Sequence, residues 1–179
     1  MFFSGIADEA GAALELQLRA HQELGWTHID FRNVNGKQFT EATDAEFEAI
    51  AAAEAKAGLK VACFESAVAN WARKISGPFD LDVQDLERCI PRMKKLGTPF
   101  IRAMSWPNDG WPEPKWRDEA VRRMKELARL AEKGGITITV ENCDGWASAS
   151  ADNYARFFDL VGSPALKAAY DTGNPAAHG

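Results

Sequence analysis

Leu127-Ala128-Arg129-Leu130-Ala131-Glu132-Lys133-Gly134-Gly135-Ile136-Thr137-Ile138-Thr139-Val140-Glu141-Asn142 is the stretch whose reading decides the fold. Met124, Leu127, Ala128 and Ala131 recur at the spacing that puts them on one face of an amphipathic helix. Gly134 then stands where a helix ends, in the left-handed conformation that glycine adopts without steric cost. Ile136 to Val140 is β-branched throughout and predicts a strand. Directly beyond it the chain turns polar, with Glu141-Asn142-Cys143-Asp144.

The same unit of helix, glycine, short apolar run and polar end repeats outward in both directions. Helices are predicted to end at Gly25, Gly58, Gly97, Gly134 and Gly162. Strands are predicted at Trp26–Phe31, Leu59–Phe64, Phe100–Met104, Ile136–Val140 and Leu166–Tyr170, with one more at Phe2–Ala7 before the first helix. Thr43-Asp44-Ala45-Glu46 reads as a capping box at a helix start. Leu86, Ile90 and Met93 form one apolar stripe, and Tyr154, Phe157, Phe158 and Val161 another. Pro91 removes a backbone donor inside the third helix and predicts a kink.

Strands alternating with helices predict an α/β fold with a parallel sheet. A doubly wound sheet announces itself by a glycine-rich phosphate loop after its first strand, and Ala7-Asp8-Glu9-Ala10-Gly11 is not one. A barrel spreads polar residues over the end of every strand, as this chain does. The expectation is therefore a (β/α)8 TIM barrel. At roughly 30 residues per βα unit the 179 residues account for about six of eight. A single domain over 1–179 is expected, truncated after about six units with its C-terminal part missing.

Composition narrows the function classes. A net charge of −5 argues against a nucleic-acid surface. No apolar run reaches the roughly 18 residues of a membrane span, and Met1-Phe2-Phe3-Ser4-Gly5 lacks the basic start of a secretory signal. Cys63, Cys89 and Cys143 show no paired spacing, which fits reduced thiols and a cytoplasmic location.

Barrel enzymes build their sites from the loops after the strands. Those positions hold Asp8 and Glu9; Asp30 and Arg32; Glu65, Ser66, Asn70 and Trp71; Arg102 and Ser105 to Asn108; Glu141 to Trp146; and Asp171 to Asn174. Glu141 and Asp171 each follow an apolar strand directly, and the two strands are sequential neighbours, so the carboxylates are expected to converge. Converging carboxylates repel unless a cation or proton lies between them, and a divalent metal is one resolution. The other is that they cap loops or pair with Arg32 and Arg102. Trp71, Trp106, Trp111, Trp116 and Trp146 gather at the same loops, either to face a sugar or to pack the loops together. His21 and His28 read as structural, His178 as ambiguous, and Cys63 and Cys143 as buried small residues.

Ala69-Asn70-Trp71, Ile101-Arg102-Ala103-Met104-Ser105-Trp106-Pro107-Asn108, Glu141-Asn142-Cys143-Asp144-Gly145-Trp146-Ala147-Ser148 and Tyr170-Asp171-Thr172-Gly173-Asn174 together resemble the sugar phosphate isomerase/epimerase family of xylose-isomerase-like barrels. The resemblance runs over essentially the whole chain and is most specific in its last two segments. It implies a divalent metal (Mn, Mg, Co or Zn) held by Glu141 and Asp171, with further ligands after two later strands that this sequence does not reach. Asn174 stands where related barrels place a histidine three residues past the aspartate. The implied activity is isomerisation or epimerisation of a small sugar, sugar phosphate or polyol by enediolate proton transfer. Glu141 is then the candidate base, and Trp71, Arg102, Trp106 and Asn142 are the candidates for holding substrate. The rivals are a metal-dependent hydrolase similar to abasic-site endonucleases and a non-catalytic barrel fragment. No membrane or nucleic-acid partner is expected, and open barrel edges predict homo-oligomers.

Overall fold

The computed structural model describes residues 1–174. Contacts gather in two units, Met1–Ser66 with Pro91–Ile101, and Ala67–Ile90 with Arg102 onward. The helices are α1 (Leu14–Glu23), α2 (Asp44–Ala57), α3 (Asp80–Leu96), α4 (Glu113–Gly134) and α5 (Ala151–Val161). The strands are β1 (His28–Phe31), β2 (Asn33–Val34), β3 (Lys37–Gln38), β4 (Lys60–Glu65), β5 (Phe100–Ser105), β6 (Thr137–Gly145) and β7 (Leu166–Ala169). The five longer strands form a parallel sheet in chain order, β1-β4-β5-β6-β7. Among the described residues, no helix is long and apolar enough to cross a membrane.

In the first unit β1 pairs with β4 so that Asp30 stands opposite Cys63 and Phe31 opposite Phe64. Ile29, Phe31, Phe64, Phe39 and Phe47 fill its core, with the Phe39 ring 4.8 Å from Phe64 and 5.0 Å from Phe31. The capping box at the start of α2 is made in full. Thr43 Oγ1 accepts the Glu46 N–H at 3.3 Å and Glu46 accepts the Thr43 N–H at 2.6 Å. The strand expected at Phe2–Ala7 shrinks to one bridge, Ile6 to Asp30, followed by a 3-10 turn at Ala7–Glu9. Gly5 offers no side chain to pack there, and a Trp26 carbon lies 2.8 Å from where its Cβ would stand. Phe2 and Phe3 stay exposed. The hairpin β2–β3 goes beyond the predicted elements. Asn35 (φ 53°) and Gly36 (φ 79°) form its turn, the double left-handed conformation that two-residue hairpins need.

In the second unit α4 buries Met124, Leu127, Ala128 and Ala131, the predicted stripe, together with Ala120. The helix ends one residue later than expected, with Gly135 rather than Gly134 in the left-handed region (φ 68°). Gly134 has a different task. A Cβ there would fall 2.9 Å from Ile90 of α3, so the glycine permits close helix packing. α3 runs on through Pro91. β7 lies in register with β6, Val140 opposite Ala168 and Glu141 opposite Ala169.

Candidate functional site

Alternation along β6 builds the site. Ile138 and Val140 are buried while Thr139 and Glu141 are partly accessible, the pattern of two opposite faces. Glu141 reaches Arg102, whose neighbours Ile101 and Ala103 are buried. Arg102 Nη1 donates to Glu141 Oε2 at 2.8 Å, with the two side chains only 12% and 13% exposed. The other carboxylate oxygen accepts from Asn174 Nδ2 at 3.1 Å.

Asn142 joins the ends of β6 and β7. Its Oδ1 accepts the Asp171 N–H at 2.6 Å and its Nδ2 donates to the Asp171 carbonyl at 3.0 Å. The amide thereby fixes the backbone that carries the second carboxylate. Asp171 is exposed and its Oδ1 accepts the Gly173 N–H at 2.6 Å. Tyr154 of α5 ties the same two strands as well. Its hydroxyl lies 2.6 Å from the Val140 carbonyl and 3.2 Å from the Ala169 carbonyl. Burial pushes this phenol up to about 12, so it stays a donor at neutral pH.

The loops beyond β5 and β6 are locked by buried polar contacts. Ser105 Oγ donates to the Asp144 carbonyl (3.2 Å) and accepts the Ala147 N–H (2.9 Å), and its carbonyl accepts the Trp146 N–H (3.1 Å). Gly145 (φ 102°) makes this approach feasible, because a Cβ there would collide with the Ser105 backbone. Burial, then Glu141 and Asp144, push the Cys143 thiol up despite Arg102, which keeps it protonated and un-nucleophilic.

Of the residues singled out in the sequence, the structure brings Arg102, Glu141, Asn142 and Asp171 together. It places Trp106 elsewhere. That indole is fully buried and its Nε1 donates to Asp82 at 2.7 Å, while its carbonyl accepts from Trp116 Nε1 at 2.8 Å. Trp146 is also buried, bonded through Nε1 to Glu113 at 2.9 Å. Trp71 is the exposed one, at 63%. Arg32 pairs in its own unit with Asp8 and Glu9. His21 is buried, its ring nitrogens facing the Gln17 and Gly5 carbonyls. His178 lies outside the described residues. Asp82 had no local signature, because its carboxylate acts through Arg73, Ala69 and Trp106, 9, 13 and 24 residues away.

Glu141 and Asp171 have the oxygen chemistry that a hard divalent cation takes. Both also have protein partners, an arginine for the first and a turn amide for the second. Among the described residues no group of three or more His, Cys, Asp or Glu is placed to hold a metal. The two fit as part of a ligand set and do not complete one. A hollow of about 280 Å³ in the same unit, lined by Arg73, Ser76, Asp82 and Arg123 among others, contains neither carboxylate.

The model of the xylose isomerase-like TIM barrel family matches residues 18–179. The chain belongs to the xylose isomerase-like TIM barrel family. Solved barrels agree on the fold. A xylose isomerase-like TIM barrel protein from Mycobacterium smegmatis in complex with magnesium superposes with a TM-score of 0.72 at 22% identity, over 95% of this chain and 62% of that one. D-psicose 3-epimerase with D-tagatose from Clostridium cellulolyticum H10 gives 0.75 at 14%, over 98% and 65%. AP endonuclease, family 2, from Brucella melitensis gives 0.68 at 17%, over 94% and 67%. The chain thus spans about six-tenths of the length of the first of these barrels. No curated protein matches the sequence. Identities this low carry the xylose isomerase-like fold and leave its chemistry to the site.

Proposed function

We propose that this xylose isomerase-like chain carries part of the active site of a sugar or polyol isomerase or epimerase. The observation that supports it is the nearly buried Glu141–Arg102 pair beside Asn142 and Asp171, gathered at neighbouring strand ends. In this reading Glu141 moves a proton to or from the carbon beside the substrate carbonyl, the work of a positioned general base. The Arg102 guanidinium lies where negative charge builds on substrate oxygen and offers donors that need no reorganisation. Asn142 holds the Asp171 backbone, and Trp71 offers an apolar face for sugar C–H groups. A divalent cation (Mn, Mg, Co or Zn), held in part by Glu141 and Asp171, supplies Lewis-acid polarisation when bound.

Deuterium incorporation tests the reading directly. The full chain is incubated in D2O with Mn²⁺ and a panel of ketohexoses and their phosphates, and carbon-bound deuterium is followed by NMR. Exchange that disappears in Glu141→Gln is expected. Exchange absent from every sugar, or unchanged by that substitution, sinks the reading. The hydrolase alternative draws on the family's endonuclease member, but a net charge of −5 gives little attraction for a polyanion. Incision of an abasic-site duplex in a parallel assay would favour it.

A further inference from the structure

Ala69 and Trp106 of the second unit hold the left-handed conformation, at φ 57° and 55°. Side chains with a Cβ adopt it only against steric resistance, and such strain persists where surrounding contacts over-determine it. Both residues converge on one carboxylate. Asp82, buried to 1% exposure, accepts the Ala69 N–H at 2.9 Å and Arg73 Nη1 at 2.7 Å on Oδ1, and Trp106 Nε1 at 2.7 Å on Oδ2. The two strained residues also bond each other, Trp106 N–H to the Ala69 carbonyl at 3.0 Å. Each of these three partners of the Asp82 carboxylate is an N–H donor, which an acceptor-only side chain suits; an asparagine would turn its own NH2 onto one of them.

Ala69 and Arg73 bracket a short turn, and Trp71 is its middle residue. Both ends of the turn are therefore tied to one buried group, while its large aromatic side chain stands 63% exposed. The neighbours Ala72 and Arg73 are held as well, through Asn70 Oδ1 to the Ala72 N–H at 3.0 Å and the Asn70 carbonyl to the Arg73 N–H at 2.9 Å. An aromatic side chain on an over-tied, strained turn stands on a preorganised backbone, so the turn's ordering cost is met before a ligand arrives.

We propose that Asp82 is a positioning residue that clamps the strained Ala69–Arg73 turn and so holds Trp71 out as a rigid platform for the C–H face of a sugar. The ligand class rests on the function proposed above; the clamp rests on Asp82, Ala69 and Trp106 alone. Strain relief supplies the distinguishing test. Ala69→Gly adopts the left-handed conformation freely, so it should restore what loss of Asp82 removes, whereas a merely structural ion pair with Arg73 would not be rescued that way.

Amide hydrogen exchange in the full chain is measured for wild type, Asp82→Asn, Ala69→Gly and the double variant. Asp82→Asn should speed exchange across 67–77 by about tenfold and leave Thr137–Gly145 unchanged, and adding Ala69→Gly should recover at least half of the protection. D-tagatose, titrated with Mn²⁺ present, should quench fluorescence in wild type and not in Trp71→Phe. Its apparent affinity should fall about tenfold in Asp82→Asn and return in the double variant. Exchange across 67–77 within twofold of wild type in Asp82→Asn overturns the clamp, as does a double variant no better than the single one. If Asp82→Asn does not fold, Trp106→Phe removes the indole bond, along with some of the ring's packing on Phe79, and should speed the same segment about threefold; no change there overturns the clamp too. A clamp that behaves as expected while D-tagatose leaves wild-type fluorescence unaltered overturns the sugar platform and leaves the clamp standing; the sugar reading itself stands or falls on the deuterium exchange.

Discussion

Asp30 on β1 and Glu141 on β6 are both largely enclosed carboxyl groups near strand ends, yet they keep different company. Glu141 has Arg102 at 2.8 Å. Among the described residues no cation pairs with Asp30 in that way; burial raises it to about 6, with Glu65 adding to the rise and Ser4, Cys63 and His21 working against it. The difference teaches that a carboxylate at a strand end does not declare its role by position. A partner from the next strand decides whether such a group sits in an ion pair or is left to burial, which favours its protonated form.

The largest expected effect comes from Asp30. Its folded value of about 6 stands above its ordinary 3.8. The folded state therefore keeps a proton that the unfolded chain loses as pH rises from about 4 to 6. The stability this group contributes is present below about pH 4 and is lost as pH rises through about 6, a change of about 3 kcal/mol for two units. Asp30→Asn should abolish this slope and be the more stable protein at pH 7. Urea melts of both proteins at pH 4.5 and 7.5 check it; parallel pH profiles would show that Asp30 is not held up by burial.

Arg102→Met follows. It leaves the Glu141 carboxylate 13% exposed without its guanidinium, and loss of one partner of a buried pair is costly because the other stays desolvated. About 2 kcal/mol is expected, below the fully buried case because water reaches part of the group. Arg102→Met combined with Glu141→Gln should recover much of it. A double variant as weak as the single one would mean that the arginine stabilises through other contacts. Tyr154→Phe should cost about 1 kcal/mol, the usual worth of one hydrogen bond, as the Val140 and Ala169 carbonyls lose their shared donor. Thermal melts are sufficient to see it.

Much of this architecture was legible in the sequence because it is local. Periodicity marked α4 and α5, β-branching marked β6, and Thr43 with Glu46 marked the start of α2. Glu141, Asp171, Arg102 and Asn142 were legible as a group because strand ends of a parallel α/β fold must gather. What escaped was set at long range. Nothing beside Trp106 in the chain says that its indole meets Asp82, 24 residues away, so an indole that packs a loop read like one that faces a ligand. Gly145 looks like any turn glycine until Ser105, 40 residues earlier, is seen against it. The β2–β3 hairpin is different. Asn35-Gly36 is a local turn signal, and it was there to be read.

The smallest effect is the one that bears most closely on function. Arg102 already neutralises Glu141, and Asp171 is exposed to water that competes for any cation. Two such oxygens should bind Mn²⁺ only weakly, on the order of millimolar, the regime of sites with few charged ligands. The comparison with Asp30 sharpens the expectation. Removing the arginine frees the charge on Glu141, so Arg102→Met should bind Mn²⁺ more tightly than wild type even as it loses stability. Glu141→Gln with Asp171→Asn should abolish the binding. Calorimetric titrations of the three proteins under one buffer decide the matter. Equal heats in wild type and the doubly neutralised protein would remove both carboxylates from the metal question. Weaker binding in Arg102→Met would show that the guanidinium organises Glu141 for the cation rather than competing with it.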